Sequence, residues 1–193
     1  MILSNASIYE ALDSHRLVID PEPTPRRRET SAECPYNTSS VDLRLGDEII
    51  RLDKALPAGI DLRSKGFAAL AQVSSTPFRL SDEQPFSLAH GQFILARTLE
   101  RVGLPIQPAG TPSLAARVEG RSSFARCGLL IHFTAPTVHC GFDGPLVLEM
   151  CNLGPYPILL YQGMRICQLI LEEVRGVPFR NESQFQGQQG PRG

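Results

Sequence analysis

A chain of 193 residues has room for one domain with a core of ordinary size, with or without appendages, and two full domains would be cramped. Lys plus Arg (19) nearly equals Asp plus Glu (20), so no global field draws the chain to nucleic acid or to an anionic membrane, and a small molecule or a protein is the expected partner. There is no run of roughly eighteen apolar residues and no basic-then-apolar leader, so the chain reads as a soluble cytoplasmic protein.

In chain order, Ser4 is placed to cap a short helix, with Leu3 and Ile8 as its hydrophobic staple and Ile8, Ala11 and Leu12 as its apolar side. Leu17-Val18-Ile19 reads as a strand, and Pro21 to Tyr36 as a loop rich in Pro, charge and Ser/Thr. Arg26-Arg27-Arg28 in that loop can bind phosphate, although such a run is more often a solvated charge cluster. Val41 to Gly46 alternates with period two and is expected to end in a glycine turn before Ile49-Ile50-Arg51-Leu52. Asp42 and Arg44 fall on one side of that strand, as a structural ion pair or part of a site. From Pro57 to Pro77 the pattern weakens, and Phe67 to Ala71 is left open between a helical turn and an irregular excursion. Short strands resume at Phe78 to Leu80, Phe86 to Leu88, Gln92 to Leu99 and Leu114 to Val118, and again at Ile158 to Tyr161 and Met164 to Glu172, the last two joined by Gln162-Gly163. With 16 Gly and 16 Pro spread along the chain, this spacing predicts an all-β sandwich or barrel rather than a parallel α/β sheet. The segment from Val177, low in apolar residues and rich in Gly and Gln, is expected to be disordered or a flap that orders on a ligand.

Five cysteines without a C-x-x-C pair argue against a disulfide framework. His15, His90, His132 and His139 lack partners at ligand spacing, so no metal site is expected. The chemistry concentrates between Gly120 and Asn152. Gly120-Arg121-Ser122-Ser123 gathers a guanidinium, two hydroxyls and backbone N–H groups that can all donate toward phosphate, although a pattern this short is more often an ordinary turn. Glu149 lies in an apolar strand, Leu146 to Cys151, where desolvation disfavours its charged form. Such an acid is either paired, for instance with Arg126, or used as a general acid and base; periodicity leaves the two level.

Leu3-Ser4, Val41 to Gly46, Gly120 to Gly128, Thr134-Ala135, Val147-Leu148-Glu149 with Asn152, and Gln188-Gln189-Gly190 together, collinear along nearly the whole chain, resemble the dCTP deaminases, a branch of the trimeric dUTPase-like superfamily. The resemblance implies a mainly β subunit of distorted β-barrel, jelly-roll-like form, spanning residues 1–176, with a tail at 177–193 that closes over the nucleotide. It also implies a homotrimer with active sites between subunits, Mg²⁺ bound with the substrate triphosphate, no catalytic metal, and dTTP as a possible inhibitor. By the same resemblance Glu149 is the general base and acid, Ser122 and Arg126 hold the water and the carboxylate, Ala135 with Thr134 lies beside the pyrimidine, Arg121 and Ser123 contact phosphate, and Gln188 matches a glutamine of the closing tail. The absence of the zinc deaminases' H-x-E and P-C-x-x-C signatures agrees with a metal-free reaction.

Three positions depart from the family. Val138-His139 stands where an Ile-Asp pair meets the deoxyribose, Gln184 where a lysine usually meets phosphate, and Phe179 where a tyrosine is common. His139 in place of that aspartate argues against dUTP hydrolysis, so the expected reaction is dCTP to dUTP plus ammonia, in pyrimidine deoxynucleotide synthesis. The alternatives are a dUTPase-like nucleotide hydrolase, a deaminase of another cytosine nucleotide, and a nucleotide-binding regulator without turnover.

Overall fold

The computed structural model describes residues 1–27, 33–52, 63, 75–81 and 83–179. The expectation for Phe67 to Ala71, and those for Gln184 and Gln188, lie outside these residues. The N-terminal helix forms as its capping chemistry requires. In α1 (Asn5–Asp13) the Ser4 hydroxyl accepts the Ser7 N–H at 3.3 Å, and Ile8, Ala11 and Leu12 are buried. Leu3 and Ile8 enter the same core cluster, as a staple should.

The strands are β1 (Val18–Asp20), β2 (Val41–Leu52), β3 (Ser75–Arg79), β4 (Phe86–Leu88), β5 (Phe93–Gly103), β6 (Leu114–Gly120), β7 (Leu129–Ile131), β8 (Thr137–Val138), β9 (Asp143–Asn152), β10 (Ile158–Leu160) and β11 (Arg165–Glu173), with one further helical turn, α2 (Ser122–Ala125), between β6 and β7. The main sheet runs β7-β9-β5-β2-β11-β6-β8, with β1 also on β5 and β3 on β2; β10 and β4 form a separate pair. Among the described residues every strand pairing is antiparallel. The fold is therefore mainly β with few helices, as the turn spacing predicts.

Two local expectations change in the structure. Gly46 is not a turn: β2 runs through it, and the register against β5 shifts between Leu45 and Ile49. A Cβ there would stand 3.0 and 3.1 Å from the carbonyl oxygens of Arg97 and Thr98, so glycine is needed for close strand approach at a bulge. Asp42 and Arg44 do not pair with each other. The Arg44 Nε and backbone N–H both donate to the fully buried Glu100, at 2.6 and 2.8 Å, while Asp42 accepts from Asn37 and Gln168 at 3.0 and 3.1 Å. The two strands read on either side of Gln162-Gly163 form as β10 and β11, with β10 paired to β4 and β11 between β2 and β6.

β9 carries Glu149, the acid singled out from the sequence. Its residues alternate: Leu146, Leu148, Met150 and Asn152 are buried, while Val147, Glu149 and Cys151 are half-buried. Because the pleat has period two, the apolar set fixes which way Glu149 points, away from the core side. Flanked by β5 and β7, β9 holds that carboxylate on a sheet interior strand rather than on a loop.

Candidate active site

Two segments carry the residues singled out from the sequence. The first follows β6. Arg121 caps α2 without a side-chain bond, and the Phe124 and Ala125 N–H groups return to the Arg121 carbonyl at 3.0 and 2.9 Å, so the expected glycine-led turn is a single helical turn. Ser122, Ser123 and Arg126 are exposed. Arg121 is half-buried: its guanidinium donates to the Arg165 carbonyl at 3.2 Å, lies 3.5 Å from Asp42 and covers the Phe124 ring. Gly128, at φ +91°, ends the segment, and a Cβ on it would run into the backbone of Gly154. That crossing is tied by the Leu153 N–H on the Gly128 carbonyl at 2.8 Å and by buried Asn152. The Asn152 amide donates to the Leu88 and Tyr156 carbonyls, both at 2.9 Å, and its oxygen accepts the Gly154 N–H at 2.8 Å. Asn152 thus has a structural role beside this segment.

The second segment centres on Glu149. The β7–β9 ladder, with Ile131 opposite Met150, extends one residue further, so that the His132 N–H donates to the Glu149 carbonyl at 2.7 Å. His132 then turns into the left-handed region at φ +49°, a conformation that costs about 1 kcal/mol for a residue with a Cβ. This brings its Nδ1 to 2.5 Å from Glu149 Oε2. The two atoms touch without hydrogen-bond alignment, and each is a buried polar atom with no hydrogen bond among the described residues. A carboxylate oxygen shielded from solvent with spare accepting capacity is suited to receive a proton from a bound molecule.

Arg126, the partner expected for Glu149, makes no ion pair with it among the described residues; the neighbouring base is His132. Within one chain, then, the structure does not join Ser122 and Arg126 to Glu149 by any hydrogen bond or ion pair among the described residues. Thr134 and Ala135 are exposed just beyond His132, His139 is exposed at the end of β8, and Phe179 is almost fully exposed at 91%. His132 is the residue that sequence reasoning missed. It was weighed only as a metal ligand, and its approach to Glu149 depends on a strand register between segments that a further strand, β8, separates.

A family model described as dCTP deaminase-like matches residues 2–174. Among curated relatives, the "dCTP deaminase, dUMP-forming" of Methanosphaera stadtmanae is 35% identical over 98% of this chain and 91% of its own. That of Coprothermobacter proteolyticus is 36% identical over 100% and 95%, and the "dCTP deaminase" of Natronomonas pharaonis is 38% identical over 99% and 92%. Among solved structures, the 2′-deoxycytidine 5′-triphosphate deaminase of Agrobacterium tumefaciens superposes with a TM-score of 0.59 at 20% identity, over 88% of this chain and 47% of that one, a likeness of fold.

Proposed function

The chain belongs to the dCTP deaminase-like family, and from that premise we propose that it deaminates dCTP hydrolytically with Glu149 as the proton carrier. The observation that carries the mechanism is the Glu149 carboxylate itself, fixed on β9 with a shielded and unspent oxygen beside His132. Glu149 takes a proton from a water and passes it to N3 as the resulting hydroxide adds to C4 of cytosine, and it then takes the proton of the new C4 hydroxyl and passes it to the amine. The C4–N bond then breaks and ammonia leaves. General acid and base action of this kind contributes on the order of 10²–10⁴-fold, and positioning of the water and the ring supplies the rest.

Ser122 and Arg126 complete the site from a neighbouring copy in a homotrimer. Their exposure, on α2 and at its C-cap, and the lack of a hydrogen bond or ion pair to Glu149 among the described residues support this arrangement. In that assembly the subunit is a jelly-roll-like barrel, Arg121 and Ser123 meet the phosphates with their Mg²⁺, Ala135 and Thr134 border the base, and the 177–193 tail, with Phe179, Gln184 and Gln188, closes over the nucleotide. Inhibition by dTTP and a cytoplasmic location belong to the same reading.

The product expected from the sequence was dUTP. The relatives named dUMP-forming, matched over almost their full length, favour dUMP over that expectation, and the product we propose is dUMP. The balance is then one dCTP and two waters giving dUMP, ammonia and pyrophosphate. His139, exposed where a carboxylate was expected, supports a second reading in which hydrolysis stops at dUTP. Incubation with dCTP and Mg²⁺, scored for both ammonia and pyrophosphate, separates the two: equal yields support dUMP, and ammonia without pyrophosphate supports dUTP. Tight dCTP binding with no ammonia at all would instead indicate a regulator.

A further inference from the structure

The triple-arginine run in the 21–36 loop has no part in the mechanism above, and the structure divides it. Arg26 is a strut: its Nε donates to Glu22 at 2.6 Å, its Nη1 to Asp13 at 2.6 Å, and its guanidinium lies over the Tyr9 ring. Arg27, the next residue, is exposed and makes no ion pair among the described residues. Both border a cavity of about 640 Å³, within the range usual for small-molecule sites.

Arg121 and Arg165 line the same cavity. The carboxylates on the wall are Glu33 and Asp42, and each already faces one of these two: Glu33 accepts from Arg165 at 3.2 Å, and Asp42 is 3.5 Å from Arg121. Arg26 is satisfied by acids outside the wall. The cavity therefore has two guanidinium charges more than carboxylates, and Arg27 is the charge left without a partner among the described residues. Such a chamber suits a polyanion, because each guanidinium presents several N–H donors to phosphate oxygens.

We propose that Arg27 binds the terminal phosphates of the nucleotide, supplying from the N-terminal loop the charge that Gln184 does not supply from the tail. This inference rests on the dCTP reading, since it takes Arg121 as a phosphate contact and extends that contact across the cavity. It makes the cavity a device that favours triphosphates, because the added phosphate charge is what Arg27 is there to meet.

The test uses the full chain and three forms: unchanged, Arg27→Gln and Arg27→Lys. For Arg27→Gln we expect the KM for dCTP in ammonia release to rise about tenfold with little change in kcat, and binding of inorganic tripolyphosphate by calorimetry to weaken by a similar factor. Arg27→Lys should recover part of both. A dCTP KM and a tripolyphosphate affinity within about twofold of the unchanged protein would overturn the inference, as would a fall in kcat at constant KM. If the unchanged protein releases no ammonia from dCTP, the functional reading fails; the tripolyphosphate arm still decides on Arg27, by loss or retention of binding in Arg27→Gln. Arg27 is exposed, so circular dichroism should show all three forms folded alike.

Discussion

Glu149 and His132 illustrate how a single side chain becomes chemically useful. The sequence marks Glu149 as unusual because a carboxylate interrupts an apolar strand, and that much is physical information available without a structure. It does not reveal the neighbour, because pairing between β7 and β9 is a long-range outcome of packing. At the same scale, Glu22 can be tested by pH. The hydrogen bond from Arg26 holds its carboxyl below the ordinary value of 4.5, so the folded state favours the charged form. The stabilisation is thus fully present above about 4.5 and is lost as the pH falls through the lower folded value. Glu22→Gln should lower the melting temperature at neutral pH and make little difference in acid well below that value; an equal loss at both ends would contradict the pairing. Because the pair is a third exposed, the neutral-pH effect should be small, about 1 kcal/mol or less.

Elements were read from the sequence in proportion to how local their causes are. Ser4, Leu3 and the Ile8-Ala11-Leu12 stripe act within a few residues, and α1 forms where they predict. Gly46 misleads because a glycine inside alternating residues signals a turn or a bulge equally well, and only the facing Arg97 and Thr98 carbonyls decide for the bulge. The Asp42–Arg44 pairing fails for a related reason: Glu100, distant in sequence on β5, competes for Arg44 once β2 and β5 meet. That buried carboxylate gives an element-scale prediction. Arg44→Met should destabilise the chain by about 3 kcal/mol, because it leaves Glu100 uncompensated in the core; urea titration measures it, and a loss under about 1 kcal/mol would contradict the role. Gly128→Ala should cost at least about 2 kcal/mol in the same assay, since it meets both an unfavourable φ and the Gly154 backbone.

At the scale of the molecule, the sequence made the all-β class legible through turn spacing, but not the strand order, which joins segments distant along the chain. The candidate site is legible as a residue set and not as an assembled geometry, since Ser122 and Arg126 make no hydrogen bond or ion pair with Glu149 among the described residues. Mixing resolves this. Glu149→Gln and Arg126→Ala should each be inactive alone, and co-refolded together they should regain part of the activity, because mixed trimers contain some sites with both side chains intact. No recovery in demonstrably mixed oligomers would contradict a shared site.

The central claim is that Glu149 drives hydrolytic loss of the cytosine amine, and ammonia release from dCTP with Mg²⁺ tests it most directly. The account predicts steady release by the unchanged chain and a fall of about 10²-fold or more in kcat for Glu149→Gln, with dCTP binding retained. Undiminished release by Glu149→Gln, or none by the unchanged protein, would contradict it.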